Sequence, residues 1–250
     1  MAKVGIIGLG LIGGSIFKSL SAMGYDVVGV SRTVELPNVY KDYDALKTCD
    51  VVFVCVPMNK TLEVLDNLEN ILNPEQIVAD VCSLKEFVTV KQYSYNFVPT
   101  HPMAGTENKG FDSSFEGLFN GAKWVVCKEN YPELLAKIIT DLGAKIVVTT
   151  PQKHDEAVAL ISHMPMVIAQ ALFLTATDNE LALDIASSGF RDMTRLALSN
   201  EEMACDMVNM NSANIQNAIL KLYKSVGDLM GENYLQTIQK IKSQRKEMFK

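Results

Sequence analysis

The chain has 250 residues, 48% of them hydrophobic and 21% charged, which excludes disordered, collagen-like and disulfide-stapled classes and is enough to bury a core. A net charge of −6 and a pI near 5.2 remove the broad basic surface that nucleic acid or an anionic membrane would require, so any anion must be held locally. Membrane spans are not expected, because the apolar run at 51–57 falls far short of the roughly 20 residues a bilayer needs and the run at 4–16 is broken by five glycines. Only Lys3 precedes that second run, which is no signal-peptide pattern, and a cytoplasmic protein is expected. Cys49, Cys55, Cys82, Cys127 and Cys205 are odd in number and lack C-x-x-C spacing, so they read as reduced core thiols rather than zinc ligands.

Residues 1–150 alternate short β-branched runs with helical patterns, the signature of a parallel sheet built from βαβ units. Strands are expected over Lys3–Ile7, Asp26–Val30, 51–55, 77–81, 96–100, 123–127 and Lys145–Val148. Gly8-Leu9-Gly10-Leu11-Ile12-Gly13 follows the first strand and opens a helix in which Ile12, Ile16, Leu20 and Met23 recur at helical spacing before Gly24 stops it. In that setting a G-x-G-x-x-G pattern is a dinucleotide cradle. The first glycine makes the tight turn, the second lets backbone approach a pyrophosphate, the third lets helix and strand pack closely, and the helix N-terminus holds the anion. The plainer reading is an ordinary glycine-rich turn.

The second strand ends in Gly29-Val30-Ser31-Arg32-Thr33, with no carboxylate where NAD would need one for its ribose hydroxyls. A small hydroxyl followed by arginine suits a 2′-phosphate instead, which favours NADP over NAD. Arg32 as a solvated loop residue, and Glu35 reaching a ribose, stay open. Val56 and Pro57, after the 51–55 strand, are assigned to the cofactor together with Leu11 and Ile12. Helical patterns follow over 60–72, ended by Asn73-Pro74, and over 132–142, ended by Gly143.

Asp80-Val81-Cys82-Ser83-Leu84-Lys85 ends one strand and is expected to enter a helix, with Ser83 either bridging ligand groups or serving as an N-cap. His101-Pro102-Met103-Ala104-Gly105-Thr106 follows the 96–100 strand, which places a titratable ring at a strand's carboxyl end. A neutral imidazole there can take a proton while an alcohol loses hydride. Beyond residue 150 strand signals cease, and 151–250 reads as an all-helical domain. His154 and His163, nine apart, are expected on opposed helix faces with structural roles. Gly189-Phe190-Arg191-Asp192-Met193-Thr194-Arg195 reads as a polar loop able to clamp a carboxylate, or as a surface salt bridge. Ile215, Ile219, Leu222, Val226 and Leu229 form one stripe of a long helix that needs a neighbouring helix or a second subunit. Eight of the twelve methionines follow residue 160 and read as adaptable core, and the basic run 240–250 complements the end of its helix.

Taken together, Gly8 to Gly13, Asp80 to Lys85, His101 to Thr106, His154-Asp155-Glu156-Ala157-Val158, Ser162-His163-Met164-Pro165 and the Gly189 to Arg195 segment closely resemble the prephenate and arogenate dehydrogenases of tyrosine biosynthesis, over nearly the whole chain. The resemblance implies an α/β Rossmann domain followed by a helical dimerisation domain, hence a homodimer, and oxidative decarboxylation of a cyclohexadienyl substrate. By the same resemblance His101 is the base on the ring hydroxyl, Ser83 helps orient that hydroxyl, Arg195 holds substrate carboxylate, and Gly105 and Thr106 also contact substrate. Many prephenate-specific members carry a histidine where this chain has Met166, which with Ser31-Arg32 resembles the NADP-dependent arogenate branch. A prephenate dehydrogenase, a β-hydroxyacid or imine reductase of similar plan, and a non-catalytic NADP sensor are the other readings. The co-occurrence of His101, Ser83 and Arg195 argues against the sensor.

Overall fold

A computed structural model describes residues 2–106, 108–231 and 233–249; Lys250, the end of the basic run, lies outside them. In chain order β1 (Lys3–Ile7), α1 (Leu11–Ala22), β2 (Asp26–Val30), β3 (Val39–Tyr40), β4 (Val51–Val54), α2 (Met58–Leu68), β5 (Ile77–Asp80) and β6 (Asn96–Val98) build a parallel six-stranded sheet ordered β3-β2-β1-β4-β5-β6. Strand order reverses between β1 and β4, and open α/β sheets take ligands outside the carboxyl ends of strands at such a point. Both faces are covered, which is why the strands read as continuous apolar runs. Val51 and Phe53 pack with Val4, Ile6, Ile16 and Leu20 on one face, and Val52 and Val54 with Ile7, Val28, Leu65 and Leu68 on the other.

β7 (Thr100–Pro102), β8 (Lys123–Val126), α3 (Glu133–Asp141) and β9 (Lys145–Val148) complete this half, with β7 antiparallel to β8 and β8 parallel to β9 in a second sheet. The strand expected over 96–100 is therefore two strands, and the sheet system is not wholly parallel. Pro99 has no N–H to give a ladder, so β6 stops at Val98 and the chain crosses to the second sheet. His101 consequently sits inside β7, in register with Val125, rather than after a strand's end. β3, at two residues, is too short to leave a pattern in the sequence.

The second half is helical: α4 (Pro151–Val158), a π turn (Ala159–His163), α5 (Met164–Ala176), α6 (Glu180–Asp184), α7 (Ser188–Thr194), a 3-10 turn (Arg195–Leu198), α8 (Glu201–Met210), α9 (Ser212–Leu229) and α10 (Tyr234–Met248). Thr150 caps α4 by accepting from the Lys153 N–H, with Pro151 in the first turn. The expected polar loop at Gly189 to Arg195 is instead α7 running into the 3-10 turn. Packing overrides the glycine, since Phe190 stacks on Phe173 of α5 with ring centroids 5.9 Å apart.

On α9, Ile215 and Ala218 pack beside Ala159, Met164 and Val167, but Val226 is 47% exposed and α10 buries no side chain among the described residues. The methionine reading is corrected in part, because Met166 and Met207 are core whereas Met193, Met230 and Met248 lie exposed; Cys205 is exposed as well. One helical stretch bears on the membrane expectation, because it is longer than the apolar runs in the sequence suggested. Pro151–Ala176 is a continuous 26-residue helical stretch, long and apolar enough by length and composition to cross a bilayer. Ser162, His163, Pro165 and Gln170 interrupt it in sequence and hid its continuity. Its buried polar residues, His154, Asp155 and His163, are tied to the rest of the protein by the bonds described below.

Candidate active site

The glycine turn is built as its spacing requires. Gly8 has φ +88°, a left-handed conformation that other residues adopt only with strain, and a Cβ on Gly13 would collide with the Gly8 carbonyl oxygen, so α1 could not pack against the turn. Gly10 behaves differently, because a Cβ there would meet nothing within 4 Å. It borders a cleft of about 1260 Å³ lined by Gly8, Leu9, Gly10, Ser31, Arg32, Thr33, Val56 and Pro57 among others. An open cradle at a helix N-terminus on the switch point of the sheet fits a dinucleotide. Leu11, Ile12 and Gly13 are not in the lining; Gly13 acts through packing.

At the end of β2, Ser31 is buried and its Oγ accepts from the backbone N–H groups of Thr33 and Val34, at 3.3 and 3.1 Å, so it forms the turn and keeps its hydroxyl proton to donate. Arg32 lines the cleft and is in no ion pair among the described residues, whereas Glu35, which also lines it, pairs with Lys41 at 3.5 Å. Lys41 and Lys60 line the same wall, where they pair with Glu35 and Glu63, a feature the sequence reading passed over. The carboxylates of Asp44 and Glu63 there are matched by Lys47 and Lys60.

Three strands along the sheet from β2, a fully buried ion pair stands at the end of β5. The Lys85 ammonium pairs with Asp80 and donates to the Thr100 carbonyl at 2.6 Å. Asp80 accepts from the N–H groups of Thr100 and Cys82, each at 3.0 Å, and its own carbonyl accepts from the Thr100 hydroxyl. Thr100 immediately precedes His101, so this network fixes β7 against the end of β5. No helix begins at Ser83. The carboxylate of Asp80 bends the chain back, and only a 3-10 turn, Phe87–Thr89, follows. Ser83 thus stands in a loop on the same carboxyl edge, partly exposed and without an N-cap role.

His154 is placed against His101. Its Nε2 lies 2.9 Å from Nδ1 of His101, and its Nδ1 lies 2.7 Å from Oδ1 of Asp155. Asp155 in turn accepts from the backbone N–H groups of Lys85 and Glu86, at 2.8 and 2.9 Å. Nor do His154 and His163 face opposite ways. An uninterrupted α-helix turns about 2.5 times over nine residues, but the intervening π turn is underwound, and both rings are buried. Asn211, between α8 and α9, closes the cluster by donating to the Asp155 carbonyl at 3.0 Å and to Nδ1 of His163 at 3.1 Å. The sequence held a clue in the Thr-Pro helix start, which places His154-Asp155 in the opening turns of α4, but only the fold reveals their partner.

Burial, then the charges of His154, Lys85 and His163, hold His101 well below the usual imidazole range, and burial, outweighing the attraction of Asp155, lowers His163 to about 4. Both rings are therefore neutral near pH 7. The unfolded chain, with histidines near 6.5, binds protons that the folded chain refuses between about pH 6.5 and 4. Stability is present in full above pH 6.5 and declines as pH falls, by up to about 1.4 kcal/mol per pH unit for each such ring. Urea midpoints from pH 7.5 to 5 are expected to fall accordingly, and less steeply in His163→Gln; equal slopes in the two proteins would exclude His163 as a source.

Gly105 and Thr106 follow β7 on an exposed loop, and Arg195 is exposed at the start of the 3-10 turn, outside the cleft lining and in no ion pair among the described residues. The next residue, Leu196, packs with Met58, Cys82, Leu84, Met103 and Met166, the apolar cluster that flanks Ser83 and His101. Met166 is buried in that cluster.

Residues 26–148 match the family described as the nucleotide-binding domain of prephenate dehydrogenase, and residues 150–247 match its dimerization domain. The cyclohexadienyl dehydrogenase of Zymomonas mobilis is 31% identical, covering 84% of this chain and 80% of that protein. The crystal structure of Synechocystis arogenate dehydrogenase superposes with a TM-score of 0.84 at 31% identity, covering 98% of each chain. Prephenate dehydrogenase from A. aeolicus, in complex with hydroxyphenyl propionate and NAD+, gives a TM-score of 0.86 at 26% identity, covering 99% of this chain and 98% of that one.

Proposed function

The chain belongs to the prephenate dehydrogenase family of nicotinamide-dependent oxidoreductases, and from that premise we propose that it catalyses the NADP-dependent oxidative decarboxylation of arogenate to tyrosine. The observation that carries this reading is the pairing of His101, on β7, with buried His154, in a chain whose switch point also holds a cleft that fits a dinucleotide. Gly8 and Gly10 hold the pyrophosphate on the N-terminus of α1, Val56 and Pro57 border the nicotinamide end, and Ser31, Arg32 and Thr33 take the 2′-phosphate, aided by the charge of Arg32, which is in no ion pair among the described residues. A bound nicotinamide supplies the hydride acceptor. His101 takes the proton of the substrate hydroxyl as a carbonyl forms there, and returns it to the same oxygen once loss of the ring carboxylate as CO₂ has left a phenolate. Ser83 orients that hydroxyl. Arg195, with Gly105 and Thr106, holds the carboxylate end, and its neighbour Leu196 packs on the apolar cluster that includes Cys82 and Leu84.

Arogenate is favoured over prephenate because Met166 presents a buried apolar side chain where the resemblance places a polar contact for prephenate. The exposed apolar surface of α5 and the uncovered end of the α9 stripe fit a second copy of the chain, in keeping with the dimerization-domain match. The test is reduced-cofactor formation with arogenate or prephenate, each beside NADP+ or NAD+. Turnover is expected with arogenate and NADP+, and Arg195→Gln is expected to raise the KM for substrate while leaving that for NADP+ unchanged. Preference for prephenate would overturn the substrate assignment, and preference for NAD+ the cofactor assignment. Silence in all four mixtures would overturn the reaction.

A further inference from the structure

The proposed reaction uses one nitrogen of His101, and the surroundings of the other decide whether the first is free to accept a proton. We propose that Asp155 and His154 are positioning residues that hold His101 as the Nδ1–H tautomer, leaving the Nε2 lone pair for the substrate hydroxyl. The inference rests on the reading of His101 as the base.

The assignment follows from counting donors. Asp155 Oδ1 receives the Lys85 N–H at 2.8 Å and faces His154 Nδ1 at 2.7 Å, while Oδ2 receives the Glu86 N–H at 2.9 Å. A carboxylate has no proton to give, so His154 Nδ1 must carry one. The neutral ring then has a bare Nε2, and the group 2.9 Å from it, His101 Nδ1, must be the donor. With its only proton on Nδ1, the neutral His101 ring has an unprotonated Nε2. The opposite polarity, with protons on both nitrogens of His154, would move the His101 proton onto Nε2 and leave no acceptor for the reaction.

Rigid parts hold the relay on both sides. Asp155 is bound through its carboxylate to the backbone after β5 and through its carbonyl to Asn211, while His101 lies within β7, whose preceding residue is fixed by Asp80 and Lys85. His154 and Asp155 are both buried, so water does not compete for these bonds. When His101 takes up the substrate proton, its Nδ1–H remains directed at His154 and, through it, at the Asp155 carboxylate, which favours the transient imidazolium. Asp155 and His154 thus bring the helical half of the chain to bear on a base carried by the sheet half.

Long-range ¹H–¹⁵N spectra of the histidine side chains in the full chain read the tautomer directly, with the His101 signals assigned by their loss in His101→Asn. The wild-type protein is expected to carry the His101 proton on Nδ1. In His154→Phe that signature is expected to be lost and kcat to fall about 10²-fold or more, with the KM for the dinucleotide unchanged. His154→Gln keeps an acceptor for the His101 N–H, so it is expected to retain the signature and lose less than about tenfold in kcat. A wild-type His101 protonated on Nε2 would overturn the proposal, as would a folded His154→Phe protein with unchanged signature and turnover. If His154→Phe fails to fold, the wild-type spectrum and the Gln variant decide. Normal turnover by His101→Asn would instead overturn the base assignment and with it the catalytic half of the proposal, while the spectrum still reports the tautomer.

Discussion

Replacing His101 by Asn is expected to lower kcat by about 10²- to 10⁴-fold, the usual contribution of a positioned base, with kcat/KM falling in proportion and dinucleotide affinity unchanged. The loss is expected to be chemical rather than structural. His101 is only partly buried, and the short amide of Asn reaches the position of the Nδ1 group that faces His154, so the contact between the two halves of the chain can persist while Nε2 disappears. Burial and the neighbouring charges of His154, Lys85 and His163 keep the wild-type ring neutral at lower pH than a free imidazole, so the acid limb of kcat/KM is expected below pH 6.5. Circular dichroism and urea unfolding of the variant separate the two causes. A folded His101→Asn protein with near-normal turnover would remove His101 from the mechanism.

The largest stability effect is expected at Lys85. Lys85→Met leaves the Asp80 carboxylate in a site with no solvent access and without its ammonium partner, a change that typically costs about 3–5 kcal/mol. Three other bonds depend on the same geometry: those from the N–H groups of Thr100 and Cys82 to Asp80, and that from Lys85 to the Thr100 carbonyl. Trp124, the single tryptophan, is fully buried in the core of the sheet half, so its fluorescence follows unfolding of the region in question. The urea midpoint is expected to drop sharply at unchanged slope. Asp80→Asn combined with Lys85→Met is expected to cost less than the sum of the single changes, because no charge is then left unpaired. A Lys85→Met protein less than about 1 kcal/mol weaker than the wild type would mean that water or another group compensates Asp80. Since Lys85 holds the residue before His101, the folded fraction of the variant should also turn over more slowly.

Much of this arrangement was legible in the residues themselves. The β-branched runs, the punctuated first helix and the glycine spacing of Gly8, Gly10 and Gly13 are local signals, set by backbone sterics and by the period at which side chains meet a face. Arg32 and the absence of a carboxylate beside it are likewise legible, because this wall of the cleft lies directly after a strand. The stripe from Ile215 to Leu229 predicted a partner, but the first part of it is answered by the π turn and α5, and the remainder is left uncovered within this chain.

Other features arise from contacts between segments far apart in sequence, and no local pattern encodes them. Pro99 divides a strand, yet its consequence, the passage of His101 into a second sheet, depends on β8 arriving from residues 123–126. The π turn rotates His163 out of the phase that an α-helical count assigns, and Asn211 explains why it is buried there. His154 and Lys85 read as an ordinary core histidine and a helix-start lysine until the fold brings them to His101 and to the Thr100 carbonyl, across 53 and 15 residues of chain. The sequence by itself determined the sheet and the cradle and singled out His101 as the candidate base; only the tertiary structure set His154 against its Nδ1. A buried polar group must find its partner wherever the chain returns close to it, and that return is a property of topology rather than of spacing.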